Sequence, residues 1–315
     1  MPTNSMPTDT ASVLRHLPWN IGVRKPDPTI VVDDLVRSFG GLTAVAVEHL
    51  EFQRGAITGL IGPNGAGKTT LFNLLTGFDQ PNTGQWSFDG RSLGRLKPHQ
   101  VARLGVVRTF QLTKALSRLT VLENMKLGAQ DQKGEKFLAA LLPGWRAQER
   151  EIEARAMDLL TRFKLDAKAQ DFAGTLSGGQ RKLLEMARAL MCEPKVVMLD
   201  EPMAGVNPAL TQSLLEHVKN LREEGMTVIF VEHDMDVVRD ISDWVVVMAA
   251  GRVIAEGPPE SISQNKDVVD AYLGAHHDAP LTAEEEELVL AEAEVAIAAE
   301  KAEDADLPTE TTRGL

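Results

Sequence analysis

Short, nearly unbroken apolar runs alternate along this chain with amphipathic stretches of helical period. The runs Ile30 to Val36, Ala56 to Ile61, Gly105 to Phe110, Lys195 to Asp200, Met226 to Val231 and Trp244 to Met248 predict strands. Stretches such as VVML and TVIFV lack polar alternation, which predicts strands covered on both faces, as in a parallel sheet flanked by helices. Helices are predicted at Lys68 to Leu75, Gln180 to Met191 and Pro208 to Glu223. In the second of these, Leu183, Met186, Ala187 and Leu190 recur at i, i+3, i+4 and i+7 and make one apolar face. The expected class is α/β. Leu119 to Ala173 has no comparable strands and predicts a mostly helical lobe, broken at Pro143-Gly144 and inserted into the sheet domain. Met1 to Thr29, rich in Pro, Thr and Asp, predicts a flexible leader.

The most specific chemistry lies where the second strand ends. Gly62-Pro63-Asn64-Gly65-Ala66-Gly67-Lys68-Thr69-Thr70 is a glycine-rich loop between a strand and a helix. Gly62, Gly65 and Gly67 let the backbone curl around an anion with its N–H groups inward. Lys68 brings a charge for β- and γ-phosphates, Thr69 brings a hydroxyl for Mg²⁺, and the helix start turns its positive end to the same place. The stretch reads as a nucleoside-triphosphate cradle, which names a phosphate site but not a function.

Composition changes the picture mainly by exclusion. The 315 residues are 43% apolar and 25% charged, ordinary globular material. The single Cys192 cannot form an internal disulfide and no paired-cysteine zinc spacing exists, which points to a reducing cytoplasm. No run approaches the roughly 18 apolar residues of a membrane span, and the N-terminal apolar stretch is broken by Arg15, His16 and Pro18, unlike a signal peptide. Leu281 to Leu315 holds eleven acidic and two basic residues, so −9 of the net −12 lies in that tail. The body is nearly balanced and offers no basic field for nucleic acid.

Downstream residues complete a constellation. KVVMLDE ends a strand in two adjacent carboxylates, where Asp200 would hold Mg²⁺ and Glu201 would orient or deprotonate an attacking water. LSGGQ, with Ser177 lying 23 residues before Asp200, puts a hydroxyl and the N–H groups of Gly178 and Gly179 at a helix N-terminus, an arrangement suited to a second anion. With GPNGAGKTT, LSGGQ, VVMLDE and the histidine of VEHD in this order, the chain resembles the ATP-binding subunits of ABC transporters over roughly Ile30 to Gly274. The resemblance implies a P-loop NTPase (RecA-like) parallel-sheet core, an antiparallel β subdomain, a helical subdomain at about 112–190 and a C-terminal segment at about 256–278. The outer parts would be a leader at 1–29 and an acidic tail at 279–315.

The family also implies roles residue by residue. Gln111 matches the glutamine that contacts Mg²⁺ and water and faces the permease, and His233 matches the switch histidine that reaches the γ-phosphate. Phe39 matches the aromatic that stacks on adenine, with Val45 beside the nucleotide. Ser177, Gly178, Gly179 and Gln180 would complete the ATP site of an opposite subunit. Where many relatives carry Ser-Ala-Leu-Asp after the double acid, this chain has Met203 to Asn207, and the uncharged Asn207 would weaken contacts across that interface.

Within the family, Phe39-Gly40-Gly41 with Ala44-Val45, Ala204 to Pro208, the segment Val268 to Gly274 and the insert Lys136 to Arg150 look like the ATPases of importers for branched-chain and related hydrophobic amino acids. This implies ATP and Mg²⁺ as ligands, integral membrane permease subunits and a second ATPase subunit, identical or not, as partners, and a solute-binding protein acting indirectly. The place implied is cytoplasmic, on the inner face of the membrane. Similar motifs serve urea, amides and lipopolysaccharide export, and a soluble ABC ATPase is the contrasting class, though neither a second motor nor sustained heptads occur here. The Ala/Glu-rich tail from Glu284 reads either as a partner-binding helix or as a solvated appendage.

Overall fold

The computed structural model describes residues 10–109, 117–130, 132, 145–262 and 265–277, and its first described elements are helix α1 (Thr10–Arg15) and a long hairpin of β1 (Pro28–Phe39) and β2 (Leu42–Gln53). Strand β3 (Ile57–Ile61) runs into α2 (Lys68–Leu75). Next come β4 (Thr83–Phe88), β5 (Arg91–Ser92), α3 (Pro98–Arg103) and β6 (Val106–Arg108). Helices α4 (Val121–Lys126), α5 (Trp145–Arg162) and α6 (Gly178–Leu190) lead to β7 (Val196–Asp200), α7 (Pro208–Glu223), β8 (Thr227–Val231), α8 (Met235–Ile241) and β9 (Trp244–Ala249). The chain continues through β10 (Arg252–Gly257), α9 (Pro259–Ile262) and α10 (Lys266–His277). Packing divides it into units at 1–271 and 272–315, and the fold and site described below lie in the first.

Two sheets result. The larger has the order β10-β9-β3-β8-β7-β6, parallel from β9 to β6 and closed on one edge by antiparallel β10. Every residue of β3 and β8 is buried, as their unbroken apolar runs require. The smaller sheet, β2-β1-β4-β5, is antiparallel. Its hairpin turn uses Gly40 and Gly41, both at positive φ (52° and 94°), the backbone that suits a two-residue connection between twisted strands. β2, β4, β5 and β10 escape the strand pattern because their polar, half-exposed positions interrupt the apolar run. The α6 face forms as predicted, with Leu183, Met186, Ala187 and Leu190 all buried. Each large side chain there contributes on the order of 1.5–3 kcal/mol of transfer free energy.

The expected flexible leader is corrected in its second half. Leu14 is completely buried, and the chain from Gly22 to Lys25 is fastened to β2 and β10. Lys25 Nζ lies 2.7 Å from Glu256 Oε2, with the two side chains 1% and 0% exposed. Glu256 Oε1 accepts from Gly22 N at 2.6 Å, and Oε2 also accepts from Trp244 Nε1 at 2.9 Å. The Lys25 ammonium sits 4.2 Å from the centre of the Trp244 ring, and its backbone N–H donates to Glu51 Oε2. Burial pulls the Lys25 pKa down, while the Glu256 charge opposes that shift. These are single polar contacts between residues more than 200 positions apart in the case of Lys25 and Glu256, so no local periodicity announces them. Residues 1–9 and 279–315, including the Ala/Glu-rich tail, and the Lys136 end of the insert lie outside the described residues.

Removing one member of a buried pair strands the other charge, which costs about 3–5 kcal/mol. Lys25→Met should therefore lower unfolding free energy by about that amount in denaturant titrations, and Glu256→Gln added to it should restore part of the loss. A Lys25→Met protein as stable as the parent would show that the N-terminal segment does not depend on this pair.

Candidate functional site

Strand register brings the separated motifs to one edge. Leu60 of β3 pairs with Val231 of β8, and Val231 pairs with Asp200 of β7, so the C-terminal ends of three neighbouring parallel strands are level. Past those ends come the glycine loop, the double acid and His233. A crevice beyond the carboxyl ends of parallel strands is where such sheets bind ligands.

The loop is shaped by contacts that only glycine permits. A Cβ on Gly62 (φ 144°) would sit 2.0 Å from the Met248 carbonyl oxygen, and one on Gly67 (φ 98°) 2.3 Å from that of Ala44. Gly65 (φ 79°) has nothing within 4 Å of its would-be Cβ and faces open space. Ala66 is buried, and its N–H is bonded to the Pro63 carbonyl at 3.2 Å, while Asn64 is exposed. Lys68 is 6% exposed, and its Nζ donates to the carbonyls of Gly62 (2.6 Å) and Pro63 (3.0 Å). Burial lowers the Lys68 pKa, opposed by the charges of Glu201 and Asp200. A partly desolvated ammonium under an open loop at the start of α2 fits a phosphate chain. Thr69 is exposed in the first turn of α2 and Thr70 is half-buried.

The carboxylates differ in their surroundings. Asp200 forms an ion pair through Oδ2 with Arg108 Nη2, and Arg108 Nη1 also donates to Asn73 Oδ1 of α2 at 2.6 Å. Glu201 takes φ 46°, a left-handed conformation that costs a non-glycine residue about 1–3 kcal/mol. Its N–H is held by the Val231 carbonyl at 3.1 Å. Glu201 Oε1 lies 2.9 Å from His233 Nε2, a hydrogen bond when that nitrogen carries the proton. Both border an open cleft of about 700 Å³ that Met203, Glu232 and Asp234 also line. Among the described residues no group of three or more His, Cys, Asp or Glu is arranged to hold a metal ion. A divalent ion here would take oxygens from nucleotide phosphates, Thr69 and Asp200, the sparse protein ligation that suits Mg²⁺.

The remaining expected residues separate. Ser177 is the N-cap of α6: its Oγ accepts from Gln180 N (3.2 Å), and Gln180 Oε1 accepts from Ser177 N (3.0 Å), a reciprocal capping box. Gly179 lies so close to α7 that a Cβ would meet Leu210 Cδ2 at 1.8 Å, whereas Gly178 is open. Asn207 caps α7 by accepting from Leu210 N at 2.9 Å, so its carbonyl already has a partner within the chain. Phe39 ends β1 with its ring 48% exposed and the Arg37 guanidinium 4.4 Å from its centre. Val45 is completely buried in the core, so of the two residues expected beside the adenine end only the Phe39 side chain is exposed. Gln111 lies outside the described residues.

A family model for the ABC transporter matches residues 47–204, half of the chain. The chain belongs to the ABC transporter family. A second model, that of the branched-chain amino acid ATP-binding cassette transporter, matches residues 252–278. The cassette is 44% identical over 250 residues to the high-affinity branched-chain amino acid transport ATP-binding protein BraF of Pseudomonas aeruginosa, covering 78% of this chain and 98% of that protein. It is 43% identical over 242 residues to a probable LivG protein of Archaeoglobus fulgidus, covering 77% and 94%. A crystal structure of a nucleotide-free ATP-binding cassette from an ABC transporter superposes with a TM-score of 0.70 at 35% identity, over 78% of this chain and 98% of that one. Another, in an ADP conformation, gives 0.69 at 34% identity.

Two residues at the cassette's site went unforeseen. Arg108, three positions before Gln111, ties Asp200 to α2, and Glu232, the residue before His233, is buried with both oxygens bonded to backbone N–H groups. The only sequence signal for either was an ionisable residue at the end of an apolar strand.

The loop contacts separate two glycines experimentally. Gly67→Ala would drive a methyl into a backbone carbonyl and should lower the melting temperature clearly, whereas Gly65→Ala should cost no more than the roughly 1–2 kcal/mol of left-handed strain. Thermal unfolding of both variants checks this, and equal losses would contradict the packing described.

Proposed function

We propose that this cassette is the ATP-hydrolysing subunit that powers import of branched-chain or related hydrophobic amino acids through a separate membrane permease. The observation that carries the reading is the level row of Leu60, Val231 and Asp200, which puts cradle, double acid and histidine at one sheet edge in a chain 42–44% identical to branched-chain amino acid transport ATPases.

Phosphates lie on the loop's N–H groups, and Lys68 Nζ exchanges loop carbonyls for β- and γ-phosphate oxygens. Thr69, Asp200 and Gln111 would hold Mg²⁺, which would supply charge neutralisation at the phosphates. The Glu201 carboxylate accepts the proton of the attacking water. His233 exchanges its Glu201 partner for a γ-phosphate oxygen when nucleotide arrives. Adenine stacks on the exposed Phe39 ring. Ser177, Gly178, Gly179 and Gln180 of a second ATPase subunit close the site from the other side, so two ATP molecules lie in the interface. No helix among the described residues is long and apolar enough to cross a membrane. The cassette works docked on the cytoplasmic face of its permease, and the permease and a solute-binding protein read the solute.

Glu201→Gln should reduce hydrolysis by about 10²–10⁴-fold while ATP still binds, since the amide keeps the shape and loses the basic oxygen. Lys68→Ala should instead weaken ATP binding itself; labelled-ATP titration beside phosphate release separates the defects, and near-normal turnover in Glu201→Gln would remove its assigned role.

In the native cell, either substitution should lower ATP-dependent uptake of labelled Leu, Ile or Val. Urea and short amides serve as parallel substrates. A loss confined to those would keep the motor and overturn the amino-acid assignment.

A further inference from the structure

The Glu232 carboxylate bonds to the backbone of both loops that carry the Glu201–His233 pair. Oε1 accepts from the Met203 backbone N–H at 2.9 Å, and Oε2 accepts from that of His233 at 3.3 Å. Met203 is two residues beyond Glu201, whose left-handed backbone would relax if the turn after it were free. Glu232 is 5% exposed at the end of β8, so these bonds are shielded from competing water. Its position is also level with the site, because Val231 pairs with Asp200 and accepts from Glu201 N.

We propose that Glu232 is a positioning residue for hydrolysis, a buried clamp that sets the distance between the Glu201 carboxylate and the His233 ring. It rests on the reading above of Glu201 as base and His233 as γ-phosphate partner. Both Glu232 oxygens are engaged by backbone N–H groups, so its assigned role is to place Glu201 and His233. Two oxygens of one rigid planar group fix two backbone segments at once, and a neutral amide cannot copy this, because its single acceptor serves one N–H while its NH₂ group faces the other. The cradle of β3 and α2 makes no bond to Glu232, so ATP binding and catalysis respond differently. Burial raises the pKa of the Glu232 carboxyl, opposed by the N–H groups of Met203 and His233; ionised, it serves both donors.

The test uses full-length protein with Glu232→Gln, which keeps side-chain volume. The expected result is a fall in kcat of about 10–100-fold, the scale of a small misplacement of catalytic groups, with KM for ATP and ATP affinity within about twofold of the parent. In a Glu201→Gln background the same change should have no further effect on the residual rate, since the two act as one unit. Hydrogen exchange supplies a readout on the unmodified protein as well: the Met203 amide should be protected in the parent and should exchange about tenfold faster or more in Glu232→Gln. A parent whose Met203 amide exchanges as freely as an exposed loop overturns the clamp. So does Glu232→Gln with kcat within about twofold of the parent, or with affinity and kcat falling together. If Glu201→Gln hydrolyses ATP normally, it is the underlying site reading that fails; if Glu201→Gln is inactive and Glu232→Gln is not, only the clamp fails.

Discussion

The candidate site depends on the register of two parallel ladders that join three strands. Because Leu60, Val231 and Asp200 are paired across β3, β8 and β7, three loops far apart in sequence leave the sheet at one height. A slip of one residue in any ladder would turn a buried strand's side chains to the opposite face and shift its loop by about 3.3 Å. Since β3 and β8 are buried at every position, the ladder is fixed by packing on both faces, and the site inherits that rigidity.

Backbone hydrogen bonds then refine what the sheet sets coarsely. The glycine loop is pressed against the Met248 and Ala44 carbonyls, so β9 and β2 shape it from two sides. Glu201, in a left-handed conformation, donates its N–H to the Val231 carbonyl, and two residues on the Met203 N–H donates to Glu232. Arg108 joins Asp200 to Asn73 of α2. The acidic pair, the histidine and the cradle therefore belong to one bonded network that spans four strands' ends.

A second network fastens the N-terminal segment. Glu256 accepts from Lys25, Gly22 and Trp244 in a fully buried place, and Leu14 adds apolar area nearby in chain order.

The sequence alone determined the α/β class, the buried parallel strands, the α6 face and where the glycine loop, double acid and histidine stand along the chain. Each of these is written in neighbouring residues: an unbroken apolar run, a 3.6-residue period, or glycines and a lysine at fixed spacing. Only the tertiary structure decided that Val45 faces the core, that residues from Leu14 to Lys25 are part of the body, that Arg108 pairs with Asp200 and Asn73, and that Glu232 accepts from the Met203 N–H. The Glu232–Met203, Arg108–Asn73 and Lys25–Glu256 contacts join residues 29, 35 and 231 positions apart. Such contacts leave no periodic trace, because one carboxylate meets one N–H only after the strands have come into register.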